Sequence, residues 1–281
     1  MSNEESGCSH NCSSCSSNCS SRQAPQKPDN GKYLKNSIVV MSGKGGVGKS
    51  TVSVNLAVSL ALKGKKVGLL DVDIHGPSIP TMLKLQNEHV MSNGEKLLPV
   101  EKAGLKVISV GLLLENPDDA IIWRGPMKIG AIGQFINDVE WGELDYLIID
   151  APPGTGDEPL SVFQTLTGKV SAVVVTTPQE VAAADVRKSL NFCKTMDVNV
   201  EGIVENMSGF VCPCCKTLTP IFNQGGGEKT AREFNVPFLG KIPIEPAIGQ
   251  CCDSGEVFAF KQCDSETGKI FSAIADKIIN H

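Results

Sequence analysis

The segment GKGGVGKST, residues 43–51, constrains the fold of this chain more than any other part of its sequence. It fits the pattern G-x-x-x-x-G-K-[ST] in full and lies between an apolar run and a helical pattern, the context that a phosphate-binding loop requires. Its glycines let backbone N–H groups approach a phosphate closely, and the following helix N-terminus adds a favourable dipole. We expect Lys49 to reach the β- and γ-phosphates and the Ser50 hydroxyl to ligate Mg²⁺. The predicted nucleotide-binding residues of this loop are Gly43, Lys44, Gly45, Gly46, Val47, Gly48, Lys49, Ser50 and Thr51.

Short apolar runs that alternate with helical patterns predict the architecture of the remaining chain. The runs are 37–41, 67–70, 105–110, 146–149, 170–175, 200–204 and 238–242, and the clearest helical patterns are 54–61, 181–196 and 267–279. Buried apolar strands between helices favour an α/β fold, with a mainly parallel sheet covered by helices on both faces. The segments 91–95 and 115–119 are typical of surface loops.

The first 36 residues differ in composition from the rest of the chain. They are rich in Ser, Asn, Cys, Pro and Gln and contain few large apolar residues. Such a segment cannot pack a core, so we predict a flexible, Cys-rich stretch 1–36 before an ATPase domain 37–281.

Bulk composition excludes several classes of function. The formal net charge of -5 and the pI near 5.5 argue against binding to nucleic acid or to an anionic membrane. No apolar run approaches the roughly 20 residues that span a bilayer, and the polar N-terminus lacks a signal core. We therefore expect a cytoplasmic protein, in which the 11 cysteines stay reduced and their clusters bind metal or do redox work.

Acidic residues follow two of the predicted strands. Asp71 and Asp73 come after the run 67–70, and Asp150 comes after the run 146–149. Ligands of open α/β sheets bind where such strands end, and carboxylates there position Mg²⁺ or an attacking water. Beside a phosphate loop, Asp150 is a candidate to hold Mg²⁺ through water, whereas one of the first two carboxylates could instead cap a turn.

Asn206 follows the predicted strand 200–204 and has two readings. Its amide offers both a donor and an acceptor, which suits the edge of an adenine. An asparagine at this point is equally typical of a turn.

Two groups of cysteines indicate metal chemistry. Cys212 and Cys215 form a C-P-x-C turn that also contains Cys214, and two thiolates at this spacing can grip one metal ion or two corners of a cluster. Both zinc and a [4Fe–4S] cluster need four ligands, so the simplest completion is a second copy of the chain across a two-fold axis. The N-terminal group can wrap one cluster or one zinc ion, or can remain unbound; it consists of Cys8, Cys12, Cys15 and Cys19. Structural or incidental roles are favoured for the remaining cysteines, Cys193, Cys251, Cys252 and Cys263, although Cys251 and Cys252 could instead approach a metal site.

Several motifs, in order, resemble the Mrp/Nbp35 family of iron–sulfur cluster carriers, which are deviant P-loop ATPases. They are GKGGVGKST, DVDIHGPSIP, WRGPMK, DYLIIDAPPGTGDE, TTPQEVAAADVRK and ENMSGFVCPCC, and the resemblance covers residues 37–281. The spacing of the N-terminal cysteines departs from that of the Nbp35 branch.

This resemblance implies a function and residue roles. It implies an ATPase homodimer that holds a labile [4Fe–4S] cluster between subunits on Cys212 and Cys215 and passes it to apo iron–sulfur proteins. Lys44 would act across the dimer interface, Asp73 would serve hydrolysis, Asn206 would contact adenine, and Pro243 would lie near the base pocket.

Three other functions are compatible with parts of the pattern. One is a MinD- or ParA-like positioning ATPase with a structural metal site, against which stand the cysteines and the lack of a basic amphipathic C-terminal helix. A second is a zinc-stabilised ATPase without iron chemistry. The third is a cluster reductase like the nitrogenase iron protein, whose ligand cysteines are spaced differently.

Overall fold

A computed structural model of the chain describes residues 34–74, 76–114, 123–212, 214–215, 217–222 and 224–281. The four N-terminal cysteines, most of the predicted flexible segment 1–36 and the predicted loop 115–119 lie outside these residues.

Strands and helices alternate along the described chain. The strands are β1 (Leu34–Met41), β2 (Val67–Asp71), β3 (Met91–Ser92), β4 (Leu97–Leu98), β5 (Val100–Lys102), β6 (Leu105–Ser109), β7 (Leu144–Asp150), β8 (Lys169–Thr176), β9 (Asn199–Glu205), β10 (Phe210–Val211), β11 (Leu218–Thr219) and β12 (Phe238–Lys241). The α-helices are α1 (Lys49–Leu62), α2 (Ile79–Met82), α3 (Gly125–Asn137), α4 (Asp157–Thr165), α5 (Glu180–Thr195), α6 (Gly226–Phe234), α7 (Pro246–Ser254), α8 (Phe258–Lys261) and α9 (Glu266–Ile279). Within the described residues, no helix combines the length and apolar composition that crossing a bilayer requires.

Among the described residues, eight strands form one sheet in the order β12-β9-β8-β1-β7-β2-β6-β5. Neighbours in this sheet are parallel, except that β5 runs antiparallel to β6 at one edge. The predicted α/β fold with a mainly parallel sheet is therefore confirmed.

The central strand β1 explains why the sheet is covered on both faces. Successive strand residues point to opposite faces of the sheet, so an unbroken apolar run must be buried on both faces. Ile38 and Val40 pack into a core that includes residues of α1, α8 and α9. Val39 and Met41 pack into a second core with residues of α3, α4, α5 and α6.

Five strands, β1, β2, β7, β8 and β9, are longer than the apolar runs that predicted them, whereas β6 and β12 are each one residue shorter. Strand β1 begins at Leu34 rather than at residue 37, because Leu34 is buried and pairs with Leu144 of β7. Strands β8 and β9 likewise begin with the exposed Lys169 and Asn199, whose polar side chains gave no strand signal.

The prediction of a plain loop at residues 91–95 is wrong in part. Met91 and Ser92 form the short strand β3, which pairs with β4. The turn between them is closed by the Asn93 side chain, which accepts hydrogen bonds from the backbone N–H groups of Glu95 and Lys96. Gly94 adopts φ 95° there, a conformation that glycine favours.

Candidate nucleotide site and thiol hairpin

The phosphate loop, residues 43–51, connects β1 to α1 at the edge of the sheet where the parallel strands end. Gly46 and Gly48 have φ of 78° and 79°, which turn the chain so that α1 can begin at Lys49. The loop lines a cavity of about 280 Å³, whose other walls include Asp73, Pro153 and Cys252. The predicted loop thus lies on a cavity at the ligand-binding edge of the sheet.

Two glycines of this loop allow other elements to press against it. A Cβ on Gly43 would lie 2.5 Å from the Asp185 Cβ of α5 and 2.6 Å from that residue's backbone. A Cβ on Gly48 would collide with the side-chain amide nitrogen of Asn206. The loop therefore packs against α5 and against the chain that follows β9.

Lys49 and Asp150 form the buried ion pair of the site. The Lys49 Nζ lies 2.7 Å from Asp150 Oδ1 and 3.9 Å from Asp73 Oδ2. The Asp150 carboxylate also accepts hydrogen bonds from the hydroxyls of Ser50, at 2.6 Å, and Ser53, at 2.7 Å. Ser53 was not among the predicted site residues, because a serine one turn into a helix carries no sequence signal of its own.

Asp71 lies beside Asp150 and is fully buried. Its carboxylate accepts hydrogen bonds from the backbone N–H of Asp73 and from the hydroxyl of Ser109, a residue that the sequence did not single out. Burial first, and then the negative charge of Asp150, raise the pKa of Asp71 to about 8. Asp71 thus fixes the backbone of Asp73, whose side chain is 17% exposed at the cavity.

Asn206 contacts the phosphate loop directly. Its side-chain amide donates a hydrogen bond of 2.8 Å to the Val47 carbonyl, and its backbone N–H donates to the Thr176 carbonyl. Asn206 therefore supports the loop in this structure, while the predicted adenine contact stays a prediction. Pro243 follows Ile242, whose backbone N–H donates to the Glu205 carbonyl, so it lies on the strand end adjoining Asn206.

Lys44 lies on the same loop and is half-buried. The Ser42 hydroxyl donates to the Lys44 carbonyl at 2.9 Å and so fixes its backbone. The predicted action of its amine across a dimer interface stays a prediction.

The predicted cysteine turn lies in what we call the thiol hairpin, residues 210–219, formed by β10 and β11. The backbone N–H of Cys212 donates to the Thr217 carbonyl, and Cys215 Sγ lies 3.3 Å from Thr217 Oγ1. Hydrogen bonding to Thr217, with a smaller contribution from Cys212, lowers the pKa of Cys215 to about 7. Cys215 and Cys214 are exposed, and Cys212 is half-buried. The hairpin therefore exposes two of its three cysteines, Cys214 and Cys215.

The other cysteines occupy different environments. Cys193 is buried in the core beside Met41, and burial raises the pKa of its thiol to about 12. Cys251 is buried, Cys263 is exposed, and Cys252 forms part of the cavity wall beside the phosphate loop. The sequence could not place Cys252 at this cavity, because the loop and α7 are about 200 residues apart along the chain.

No three His, Cys, Asp or Glu side chains within the described ranges are grouped so that they could hold one metal ion. The predicted ligands Cys8, Cys12, Cys15 and Cys19 lie outside those ranges.

Comparisons of the sequence with known proteins point to iron transfer and iron–sulfur clusters. A family model described as ParA, the NUBPL iron-transfer P-loop NTPase, matches residues 33–279. An iron-sulfur cluster carrier protein of Methanocaldococcus jannaschii is 49% identical over 253 residues, which are 89% of this chain and 87% of that protein. The cytosolic Fe-S cluster assembly factor NUBP2 of Bos taurus is 47% identical over 263 residues, which are 92% of this chain and 97% of that protein.

Solved structures share the fold. A nucleotide-binding protein of Archaeoglobus fulgidus in complex with ADP is 43% identical, with a TM-score of 0.72, and the match covers 81% of this chain and 89% of that one. The cell division ATPase MinD of Pyrococcus furiosus has a TM-score of 0.66 over 88% of this chain and 99% of its own. Since MinD is only 24% identical, its likeness concerns the fold alone.

Proposed function

Because the chain belongs to the NUBPL iron-transfer family of P-loop NTPases, we propose that it is an iron–sulfur cluster carrier whose dimer is controlled by ATP. One observation carries the proposal: a complete phosphate loop and the hairpin that carries Cys212 and Cys215 both adjoin the chain that follows β9. Asn206 binds the loop, and six residues later Cys212 begins the predicted cluster turn. The relatives named as cluster carriers and assembly factors match most of the chain, which supports iron–sulfur clusters as the cargo.

We place ATP on the phosphate loop, with Lys49 at the terminal phosphates. The oxygen donors around the cavity suit Mg²⁺, a hard cation that prefers carboxylate, hydroxyl and water ligands. Ser50 would hold the ion directly, and Asp150 would hold it through water; when bound, Mg²⁺ neutralises charge that develops on the phosphates. Asp73 would orient the attacking water, since it lines the cavity and its backbone is fixed by Asp71.

We place the cluster between two copies of the chain. Each protomer would supply Cys212 and Cys215, so that two thiol hairpins together provide the four thiolates of a [4Fe–4S] cluster. Exposed apolar side chains beside the thiols support a partner on this face, since Leu218 is 51% exposed and Ile221 is 53% exposed. In this dimer Lys44 would reach the nucleotide of the partner subunit.

Binding of ATP would change how firmly the two hairpins close on the cluster. Such control is a coupling free energy between two sites and needs no chemistry on the cluster itself. Apo iron–sulfur proteins in the cytoplasm would then receive the cluster, and we propose no nucleic-acid or membrane partner. Cys8, Cys12, Cys15 and Cys19 would form a second metal site, holding one cluster or one zinc ion.

Anaerobic reconstitution with iron and sulfide tests the proposal. Cys212→Ala and Cys215→Ala should each lose the brown absorbance and the iron of the shared site, whereas Cys263→Ala, which changes an exposed cysteine outside the hairpin, should keep both. Each protein is prepared in full length and again with the four N-terminal cysteines replaced by serine, so that the two sites are separated. Full retention of iron in the two hairpin variants, or zinc in place of iron in the wild-type protein, would contradict the cluster assignment.

A further inference from the structure

Glu205, the last residue of β9, joins the chain segments that precede and follow the thiol hairpin. Its Oε1 accepts a hydrogen bond of 2.6 Å from the Ser208 hydroxyl and one of 3.2 Å from the Gly225 backbone N–H. Ser208 precedes the hairpin and Gly225 follows it, so one carboxylate oxygen binds the chain on both sides of the hairpin. The other oxygen, Oε2, accepts a hydrogen bond of 2.7 Å from the Gly227 backbone N–H.

The environment of Glu205 is that of a fixed, fully partnered group. The residue is completely buried, yet three hydrogen bonds from N–H and O–H donors satisfy its carboxylate. Gly227 lies in the first turn of α6, where unpaired backbone N–H groups and the helix dipole favour a negative charge. A Cβ on Gly227 would lie 3.2 Å from Glu205, so the glycine provides the room for this contact.

The neighbouring residue connects the same point to the nucleotide site. Asn206 donates to the Val47 carbonyl of the phosphate loop, and one peptide bond separates it from Glu205. Backbone hydrogen bonds hold both residues, because Ile242 donates to the Glu205 carbonyl and the Asn206 N–H donates to the Thr176 carbonyl. Two adjacent residues, Asn206 and Glu205, therefore connect the phosphate loop to Ser208 and Gly225, which flank the hairpin.

We propose that Glu205 is the positioning residue that couples the nucleotide state of the phosphate loop to the geometry of the thiol hairpin. This inference rests on the proposed function and names the connection through which ATP acts on the cluster ligands. Glu205 is completely buried and does not line the cavity beside the phosphate loop. It acts by making the orientation of the hairpin follow that of Asn206, so its removal should uncouple the two sites while each keeps its own ligand affinity.

The strand itself offers a matched control. Glu201 lies on β9 as well, is 3% exposed, and its Oε2 lies 2.6 Å from His281 Nδ1. Glu201→Gln removes a buried charge from the same strand without touching the hairpin or the phosphate loop. Glu205→Gln keeps the shape of the side chain but turns one acceptor into a donor, which in either orientation of the amide faces a backbone N–H, that of Gly225 or that of Gly227, which can only donate.

Residue-resolved alkylation of the metal-free full-length protein gives a readout that does not depend on cluster transfer. The rates at Cys212, Cys214 and Cys215 are measured by mass spectrometry at one pH without nucleotide, with Mg-ADP and with Mg-ATP. In the wild type and in Glu201→Gln we expect ATP to change these rates at least about fivefold, the lower range of usual allosteric couplings. In Glu205→Gln we expect nearly equal alkylation rates with and without ATP. Calorimetry should find an unchanged Kd for ATP.

A wild-type ratio in a folded Glu205→Gln protein would overturn the inference. If that variant does not fold, Ser208→Ala takes its place, because it removes one donor at the hairpin end and leaves the charge satisfied. In this variant the ratio of alkylation rates with and without ATP should fall at least about halfway towards one on a logarithmic scale, because one of the two contacts of Oε1 is lost. An unchanged ratio would again overturn the inference. If nucleotide does not change the alkylation rates of the wild type, both the proposed coupling and the role of Glu205 are wrong. The cluster ligands are tested separately, by iron retention in the cysteine variants.

Discussion

Asp71 and Asp150 end neighbouring parallel strands at the same register position, and both carboxyl groups are completely buried. Asp150 is paired with the Lys49 ammonium group, whereas Asp71 is held by the hydroxyl of Ser109 and the backbone N–H of Asp73. One cation thus faces two adjacent carboxylates. Two buried negative charges at this spacing repel each other, so the site favours either a proton on Asp71 or a further cation.

Replacement of Asp71 by asparagine should stabilise the nucleotide-free protein at neutral pH. In the folded state the pKa of Asp71 is raised from 3.8 to about 8, so the folded protein retains a proton that the unfolded chain releases. The free energy of unfolding therefore falls as pH rises through this window. Asparagine removes the titration, can still accept from Asp73 and can donate to Ser109. Thermal unfolding at about pH 5, 6.5 and 8 should show an advantage of Asp71→Asn that grows with pH.

Asp145→Asn is the control of opposite sign. Lys35 and the backbone N–H of Lys66 lower the pKa of Asp145, so its ionised form stabilises the fold above its unfolded pKa and this contribution is lost as pH falls. The Asp145 variant should be less stable than the wild type across the same series. An advantage of Asp71→Asn that does not change with pH would contradict the raised pKa.

Lys49→Met should abolish ATP binding and weaken the fold. The substitution leaves the buried carboxylate of Asp150 without its counter-ion, which costs about 3 kcal/mol even though two serine hydroxyls still donate to it. Lys66→Met is the matched control, because Lys66 and Glu143 are mostly exposed and 3.8 Å apart, and such pairs contribute about 0–1 kcal/mol. Calorimetry with ATP and denaturant unfolding measure both effects. Equal stability of the two variants would argue against the buried pair.

Gly48→Ala should impair ATP binding through a collision as well as through backbone strain. The added methyl group meets the Asn206 amide at a residue whose φ is 79°. Gly64→Ala isolates the strain, since Gly64 has φ 77°, nothing within 4 Å of its added Cβ, and no part in the phosphate loop. That control should cost about 1–2 kcal/mol of stability and leave the ATP Kd unchanged. We expect the Kd of Gly48→Ala to rise at least about tenfold, which corresponds to 1.4 kcal/mol.

Bound ATP should protect Cys252 from alkylation. The thiol lies on the wall of the cavity beside the phosphate loop, and burial raises its pKa, so its reaction is slow even without nucleotide. Cys263 is exposed and should react at the same rate with or without ATP. Cys193 is completely buried and should remain unmodified until the protein unfolds. Protection of Cys263 as strong as that of Cys252 would show that the cavity is not the nucleotide site.

Sequence predicted the parts of the site whose information is local. The phosphate loop is one continuous motif, and Asp71 and Asp150 each directly end an apolar run, so both are readable without knowledge of the fold. Ser53 and Glu205 were missed, because each acquires its role from partners brought close by folding. Glu205 is an example. In the sequence VENM it resembles any polar residue at the end of a strand, and its role depends on the hydrogen bond that it accepts from Gly225 in the folded chain.

Strands β10 and β11 contribute only two residues each to their ladder. A ladder this short has little stability of its own, so the hairpin owes its shape to the contacts at its base and forms a sheet separate from the eight-stranded one. In the proposed carrier, release of a cluster would therefore be a local event that leaves the nucleotide-binding fold intact.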